Sequence, residues 1–409
     1  MKKKTFAFTF VFVAFFFHEQ TLQAQWMSQV SGTNQTLLGV SFTGANAGTI
    51  VGVSGIILRT TNGGATWSSQ NSGTTRFLRS VHFVNADTGT AVGELGIILR
   101  TTNGGTNWTS QTSGTINTFV HVHFTNSNTG TAVGLNGTIV RTDNGGASWA
   151  SQTSGTNVEL AGVHFTDSAI GTVVGFGGII LRTTNGGATW VRQNSGTSND
   201  LRSVQFFDGN TGTIVGYNGT ILQTTDGGTN WTSRASGTTR NLFSVHFVDA
   251  NTGTAVGTGT ILRTIDGGLH WQNQLSGITS DLYSVSFSDK NFGTAVGQLG
   301  RILRTTNGGG TTAVDEKSGS LPVRFDLGQN YPNPFNPQTT ITLTLPNAQK
   351  VLVKLYDALG MEVATLLNET RSAGKNALHF DGAGLPSGLY FYELRAEKFV
   401  ERRKMVLIR

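Results

Sequence analysis

Every tryptophan of the chain falls on one lattice. Trp26, Trp67, Trp108, Trp149, Trp190, Trp231 and Trp271 are spaced by 41 residues five times and by 40 once. Six of them close a near-identical octapeptide: TTNGGATW at 60–67, TTNGGTNW at 101–108, TDNGGASW at 142–149, TTNGGATW at 183–190, TTDGGTNW at 224–231 and TIDGGLHW at 264–271. A seventh copy, TTNGGGTT, starts at Thr305 and has no Trp. A fixed period of this length predicts an array of supersecondary units, each unable to bury its apolar face without its neighbours.

A typical unit contains four short apolar segments, WSSQ, LRSVHF, GTAVG and GIILRT, separated by NSGT, NADTG, ELG and TNGG. Four strands in about 40 residues predict a β-propeller blade. Composition agrees: 55 glycines and an apolar fraction of 37% rich in Val, Ile and Phe suit short strands and tight turns, and 13% charge is too little for disorder. In the octapeptide the acceptor side chain (Asn62, Asn103, Asn144, Asn185, Asp226 or Asp266) is placed to bond the backbone of its turn, and the following glycines accept positive φ. GIILRT and WSSQ are then the arms of a hairpin. The Trp is expected to fold over its own loop, where burial of one indole removes roughly 200 Å² from water, an upper limit of about 5 kcal/mol.

The ends of the array complement each other. The first unit has the strand WMSQ and no preceding turn, whereas the last has a turn and no Trp strand. If WMSQ pairs with RILRT at 301–305, the ring closes and exposes no edge. The expected fold is all-β: a seven-bladed propeller over 25–310 closed by its N-terminal strand, a polar linker at 311–320, and a small antiparallel β-sandwich over 321–409.

Residues 1–24 read as an export signal, with Lys2 to Lys4, an apolar run, and a small-residue cleavage site after Ala24. The apolar run is too short to span a bilayer comfortably, so the mature chain is expected to have no transmembrane span. Cysteine is absent, which excludes disulfides and thiolate metal sites. The repeat region carries 14 basic and 12 acidic residues, which offers no basic stripe for nucleic acid.

The Thr-x-Asn/Asp-x-Gly-x-x-Trp pattern resembles the Asp-box of bacterial neuraminidase-type repeats, although Asn replaces Asp in five of the seven turns. The whole unit, with SVHF, GTAVG and ILRTTNGG, resembles the propellers of the photosystem II assembly and stability factor family. That likeness implies the fold and says little of function, since Asp-boxes serve sialidases, glycanases, sorting receptors and assembly factors alike. Beyond the linker, NYPNPFNPQTTI and the strands that follow resemble the type A C-terminal sorting domain of the type IX secretion system. This resemblance implies passage through the periplasm and across a Gram-negative outer membrane, with the secretion machinery as partner and release or surface attachment after processing.

Sequence shared by all units builds the scaffold, and sequence that differs between them is free to form a site. Strand alternation puts the variable loops on one rim. Candidates for a glycan or protein ligand there are Arg76, Phe77, Phe119, Glu159, Asp200, Arg240 and Tyr283 from one loop set, and Glu94, Phe176 and Tyr217 from the other. Arg59, Arg100, Arg141, Arg182, Arg263 and Arg304 precede six boxes, with Gln223 interrupting the series; their repetition predicts a structural role, stacking near the hairpin Trp or bonding turn carbonyls. His82, His123, His164 and His246 share one place in VHF, with His121 two residues before His123. Equivalent places on a ring are expected to lie too far apart for one ion, so no metal and no cofactor is expected. Sialidase or glycanase chemistry needs carboxylates at fixed separation, or a Tyr nucleophile with an arginine triad, and the irregular acidic residues are scattered. The expectation is a secreted or surface-displayed binding scaffold without catalytic residues; an Asp-box glycoside hydrolase and a photosystem-type assembly factor are the alternatives.

Overall fold

The alternating strands and turns of the repeat form seven four-stranded antiparallel sheets. The computed structural model describes residues 26–309, 325–330, 332–396 and 399–408. The export signal expected at 1–24 and the linker expected at 311–320 lie outside the described residues. The chain divides into two compact units, Met1–Thr311 and Thr312–Arg409.

The first sheet shows the pattern. Its strands are Leu37–Phe42, Gly48–Gly52, Ile57–Thr60 and Ser68–Gln70, paired in chain order. In the seventh sheet, Met27–Gln29 supplies the outermost strand and pairs with Ile302–Thr305, with Met27 opposite Arg304. The two chain ends of the unit are thus neighbours in one sheet, and Trp26 is 1% exposed. Its indole N–H donates to Gln274 Oε1 at 2.9 Å, and its ring meets Phe287 edge-on at 5.8 Å.

Within each turn the box Thr hydroxyl accepts the N–H of the second glycine, as Thr60 does from Gly64 at 2.8 Å, and Asn62 Oδ1 accepts from Thr66 N at 3.0 Å. Gly63 and Gly64 have φ of +68° and +87°, a region that a side chain would strain. The same contacts recur with Asp226, so an amide oxygen and a carboxylate oxygen are interchangeable as the turn acceptor.

Two expectations about this turn are corrected. The indole N–H does not close over its own loop: Trp67, Trp108, Trp149, Trp190 and Trp231 donate to a Gln on the preceding sheet, for example Trp67 to Gln29 Oε1 at 3.3 Å. Only Trp271 bonds a carbonyl of its own turn, Gly268 O at 3.1 Å. The arginines do not stack on that Trp either. Arg59 lies over Phe83 of the next sheet at 5.0 Å and donates to Ala86 O there at 2.6 Å. Arg304 closes the circle over Phe42 at 5.2 Å and donates to Ala45 O at 2.9 Å. Both side chains point outward from their own sheet because the wedge-shaped gap between sheets must be filled and its turn carbonyls paired.

Gln223, which interrupts the arginine series, is part of an exchange. Arg234 stands where other sheets place the Trp-binding Gln, and its Nε donates to Gln223 Oε1 at 2.9 Å. Gln223 Nε2 in turn donates to Gly267 O. The 40-residue spacing has an equally local cause: the sixth sheet connects its middle strands through Thr258 and Gly259 alone, and Arg240 donates to both carbonyls.

The C-terminal unit has a three-stranded sheet, Asp326–Leu327, Gln338–Leu345 and Gly374–Asp381, and a four-stranded sheet, Gln349–Tyr356, Glu362–Arg371, Gly388–Ala396 and Phe399–Leu407. Alternation along Gln338–Leu345 buries Thr339, Ile341, Leu343 and Leu345. Ile341, Leu343 and Leu345 join Val353, Leu355, Leu394 and Met405 of the other sheet in one core. Tyr392 is fully buried there and its hydroxyl is paired twice, donating to Gly328 O at 2.7 Å and accepting from Asn330 N at 2.8 Å.

Candidate functional site

The first strand of each sheet adjoins that of the next, and the seven strands surround a cavity of about 270 Å³. Each of these strands carries a β-bulge at its second residue, where the register against its neighbour shifts. A bulge adds an unpaired residue and re-aims its side chain. Here the bulged residues are Leu38, Arg79, Val120, Ala161, Arg202, Phe243 and Tyr283, all of which line the cavity. Beyond the bulge, alternation sends Val40 and Phe42 and their counterparts into the gaps between sheets, and the intervening residues to the cavity.

These cavity-facing residues pair the exposed edge of the next strand. Phe83 N donates to Ser41 Oγ at 3.1 Å, Phe247 N to Gln205 Oε1 at 2.6 Å, and Phe42 N to Ser286 Oγ at 3.0 Å. His123 Nδ1 accepts from Phe165 N, His164 Nδ1 from Phe206 N, and His121 Nδ1 from Val163 N, each at 3.4 Å. Ser, Gln and His share one task here, which is to give an edge N–H an acceptor.

The expected separation of the histidines is corrected. His82 and His123 have ring centroids 4.8 Å apart, and His123 and His164 4.5 Å. At the narrow axis of the ring, equivalent positions become neighbours. Burial holds the His82, His121 and His246 imidazoles down to about 4 and that of His164 down to about 3, and neighbouring imidazoles push His82 and His164 in the same direction. Among the described residues no group of three or more His, Asp and Glu is arranged to hold a metal ion.

At the bulged level the wall is uneven. An aromatic arc runs from Phe176 to Tyr217 at 6.4 Å, to Phe243 at 6.1 Å, and to Tyr283 at 5.4 Å. Arg202 sits over Phe176 at 5.4 Å and over Tyr217 at 5.8 Å, and is held there by Glu159 at 3.1 Å. Tyr283 lies 3.3 Å from Asp281 Oδ2 and accepts from Gln298 Nε2 at 3.1 Å. Burial raises its phenol pKa, and the Asp281 carboxylate adds to the effect.

The structure therefore brings Glu159, Phe176, Tyr217 and Tyr283 together. Asp200 stands in the same rim but caps the neighbouring turn, accepting from Gly177 N at 2.9 Å. Glu94 likewise caps the other rim loop of its own sheet, accepting from Phe77 N at 3.2 Å. Arg76 and Phe77 are exposed at the second sheet, apart from the arc, and Arg240 is spent on Thr258 and Gly259. Phe119 is a correction: it takes the place of Leu78 and Leu160 at the start of its strand and is 0% exposed, so it belongs to the core and not to a loop. Arg79, Arg202 and Phe243 were not anticipated. Their signal lay in the Leu-x-x-Val-x-Phe spacing of the first strand, which breaks strict alternation.

Residues 18–115 and 110–198 match the family described as photosynthesis system II assembly factor YCF48, and residues 329–408 match the secretion system C-terminal sorting domain. Among solved structures the chain is similar to YCF48 bound to a D1 peptide, with 23% identity, a TM-score of 0.60, and coverage of 69% of this chain and 95% of the other. It is also similar to YCF48 from Cyanidioschyzon merolae, at 21% identity, a TM-score of 0.58 and coverage of 68% and 98%. The WD40 propeller domain of Doa1 aligns at 14% identity and a TM-score of 0.57 over 68% of this chain and 96% of that one. No curated protein matches. No helix among the described residues is long and apolar enough to cross a membrane. The chain thus has a β-propeller fold, shared with the solved YCF48 structures and matching the YCF48 family model over residues 18–198, followed by a segment that matches the secretion-system C-terminal sorting domain.

Proposed function

We propose that this protein is a non-enzymatic binding module, exported through the type IX system of a Gram-negative cell and released or displayed at its surface, whose channel mouth grips a peptide segment. The observation that carries this reading is the aromatic arc of Phe176, Tyr217, Phe243 and Tyr283, with Arg202 held over two of the rings by Glu159. Flat apolar faces beside a fixed guanidinium suit an extended chain with an aromatic or carbonyl-rich stretch. The similar YCF48 structure bound to a D1 peptide supports a peptide over a sugar.

Hydrolysis has less support. Glu159 is ion-paired, Asp200 is occupied by a backbone N–H, and the Tyr283 phenol is pushed away from the ionised form that a nucleophile needs. A photosystem-type assembly role also has less support, because the sorting domain directs the chain outward.

A peptide-display selection against the full chain, followed by titration of the selected peptide, tests the reading. Tyr217→Ala combined with Phe243→Ala is expected to weaken binding by about 2 kcal/mol or more, with the fold retained by circular dichroism. Unchanged affinity, or glycan turnover lost in Glu159→Gln, rejects it.

A further inference from the structure

The cavity below the mouth is lined by hydrogen-bond donors with nothing to receive them. A neutral imidazole has one lone pair. In His121, His123 and His164 that lone pair, on Nδ1, already accepts a backbone N–H. Nε2 must therefore carry the proton, and it is a donor in a wall that lines the cavity. For the same reason these rings cannot ligate a metal ion through Nε2 without leaving an edge N–H unpaired.

Three further polar atoms in the same wall are shielded and have no partner: Arg79 Nε, His82 Nδ1 and His246 Nδ1. Arg79 makes no ion pair among the described residues, unlike Arg202. The charged groups acting on these rings are other imidazoles together with Arg100, Arg182 and Arg263, and no carboxylate is among them. A donor-rich cavity with cationic neighbours and unpaired polar atoms is complementary to an acceptor with several oxygens.

We propose that the axial cavity binds a small oxyanion, a carboxylate or a phosphate, held by imidazole Nε2–H donors and drawn in by Arg79. Phe243 and Tyr283 of the aromatic arc line the same cavity, but the anion is held by Arg79 and the imidazoles and not by the arc. An anion among these rings favours their protonation, so binding tightens as pH falls below the ordinary histidine range, and the bound anion opposes acid unfolding.

The full chain, labelled with 15N, is titrated with inorganic phosphate, acetate and neutral acetamide at matched ionic strength, with the histidine ring resonances as readout. The expected result is an Nε2–H tautomer at His123 and His164, shifts with phosphate or acetate and none with acetamide, and a thermal stabilisation that grows on acidification. Arg79→Gln is expected to weaken the effect about tenfold. His123→Gln keeps an acceptor for Phe165 N, as Gln205 does for Phe247 N, and is expected to remove one ring donor while the fold persists. Whether phosphate or acetate acts identifies the source of the oxygens. Equal response to acetamide or chloride, an Nδ1–H tautomer, or zinc uptake lost in His123→Gln overturns the proposal.

Discussion

The Asp-box edge and the bulged edge of each sheet follow opposite rules. At the box, one bond recurs in all seven sheets: the Thr hydroxyl accepts a glycine N–H at 2.7–2.9 Å, from Thr60 to Thr305. At the bulge the seven equivalent residues are Leu38, Arg79, Val120, Ala161, Arg202, Phe243 and Tyr283, and no two neighbours around the ring share a chemistry except Val with Ala and Phe with Tyr. The uniform edge carries the stability of the ring. The bulged side chains themselves make no contact that recurs around the ring, unlike the Ser, Gln and His residues farther along the same strands, so they are free to vary and to form a site.

Breaking the uniform edge at the closure is expected to have the largest effect. Trp26→Ala empties a fully buried position and removes the bond to Gln274, a loss of about 3–5 kcal/mol that thermal unfolding measures. Retention of the wild-type midpoint would show that closure contributes little.

Acidification comes next. The imidazoles of His82, His121, His164 and His246 stay neutral in the folded protein down to about pH 4 or 3, whereas the unfolded chain takes up their protons near 6.5. Their contribution is fully present above 6.5 and is lost as pH falls toward 4. A displacement from 6.5 to about 4 corresponds to roughly 3 kcal/mol per ring. His82→Ser, which copies Ser286 of the seventh sheet, is expected to flatten the fall in unfolding midpoint between pH 6.5 and 4. An unaltered pH profile would place the sensitivity elsewhere.

The two kinds of arginine sharpen the comparison. Arg59→Ala loses two hydrogen bonds and the contact over Phe83, about 2 kcal/mol of stability. Arg202→Ala lies on the irregular edge and is expected to change stability by less than about 1 kcal/mol while weakening peptide binding. If denaturant titration gives the reverse order, the division between the edges fails. The smallest effect belongs to Asn62→Asp, within about 0.5 kcal/mol, because Asp226 makes the same turn bonds.

Much of this was legible in the sequence. The Trp lattice specified the repeat, and the unmatched ends of the array specified that WMSQ would pair with RILRT, though not the register that sets Met27 opposite Arg304. The structural role of Arg59 and its equivalents was legible from repetition, but their partners were not, since Phe83 and Ala86 belong to another sheet. Phe119 falls among the loop candidates because INTFVH alone does not locate the strand start to one position. Arg79, Arg202 and Phe243 were hidden by the bulge, which inserts a residue without altering composition.

Local chemistry repeated at a constant interval determined the strands, the turns and the circular arrangement, because each of these depends on contacts within about 40 residues or on the count of units. Only the tertiary structure decided which side chains meet at the axis. There the ring is narrow, so His82 and His123, and His123 and His164, each a full repeat apart along the chain, stand within 5 Å of each other; edge N–H bonds fix the tautomers of His123 and His164, and burial keeps the rings neutral.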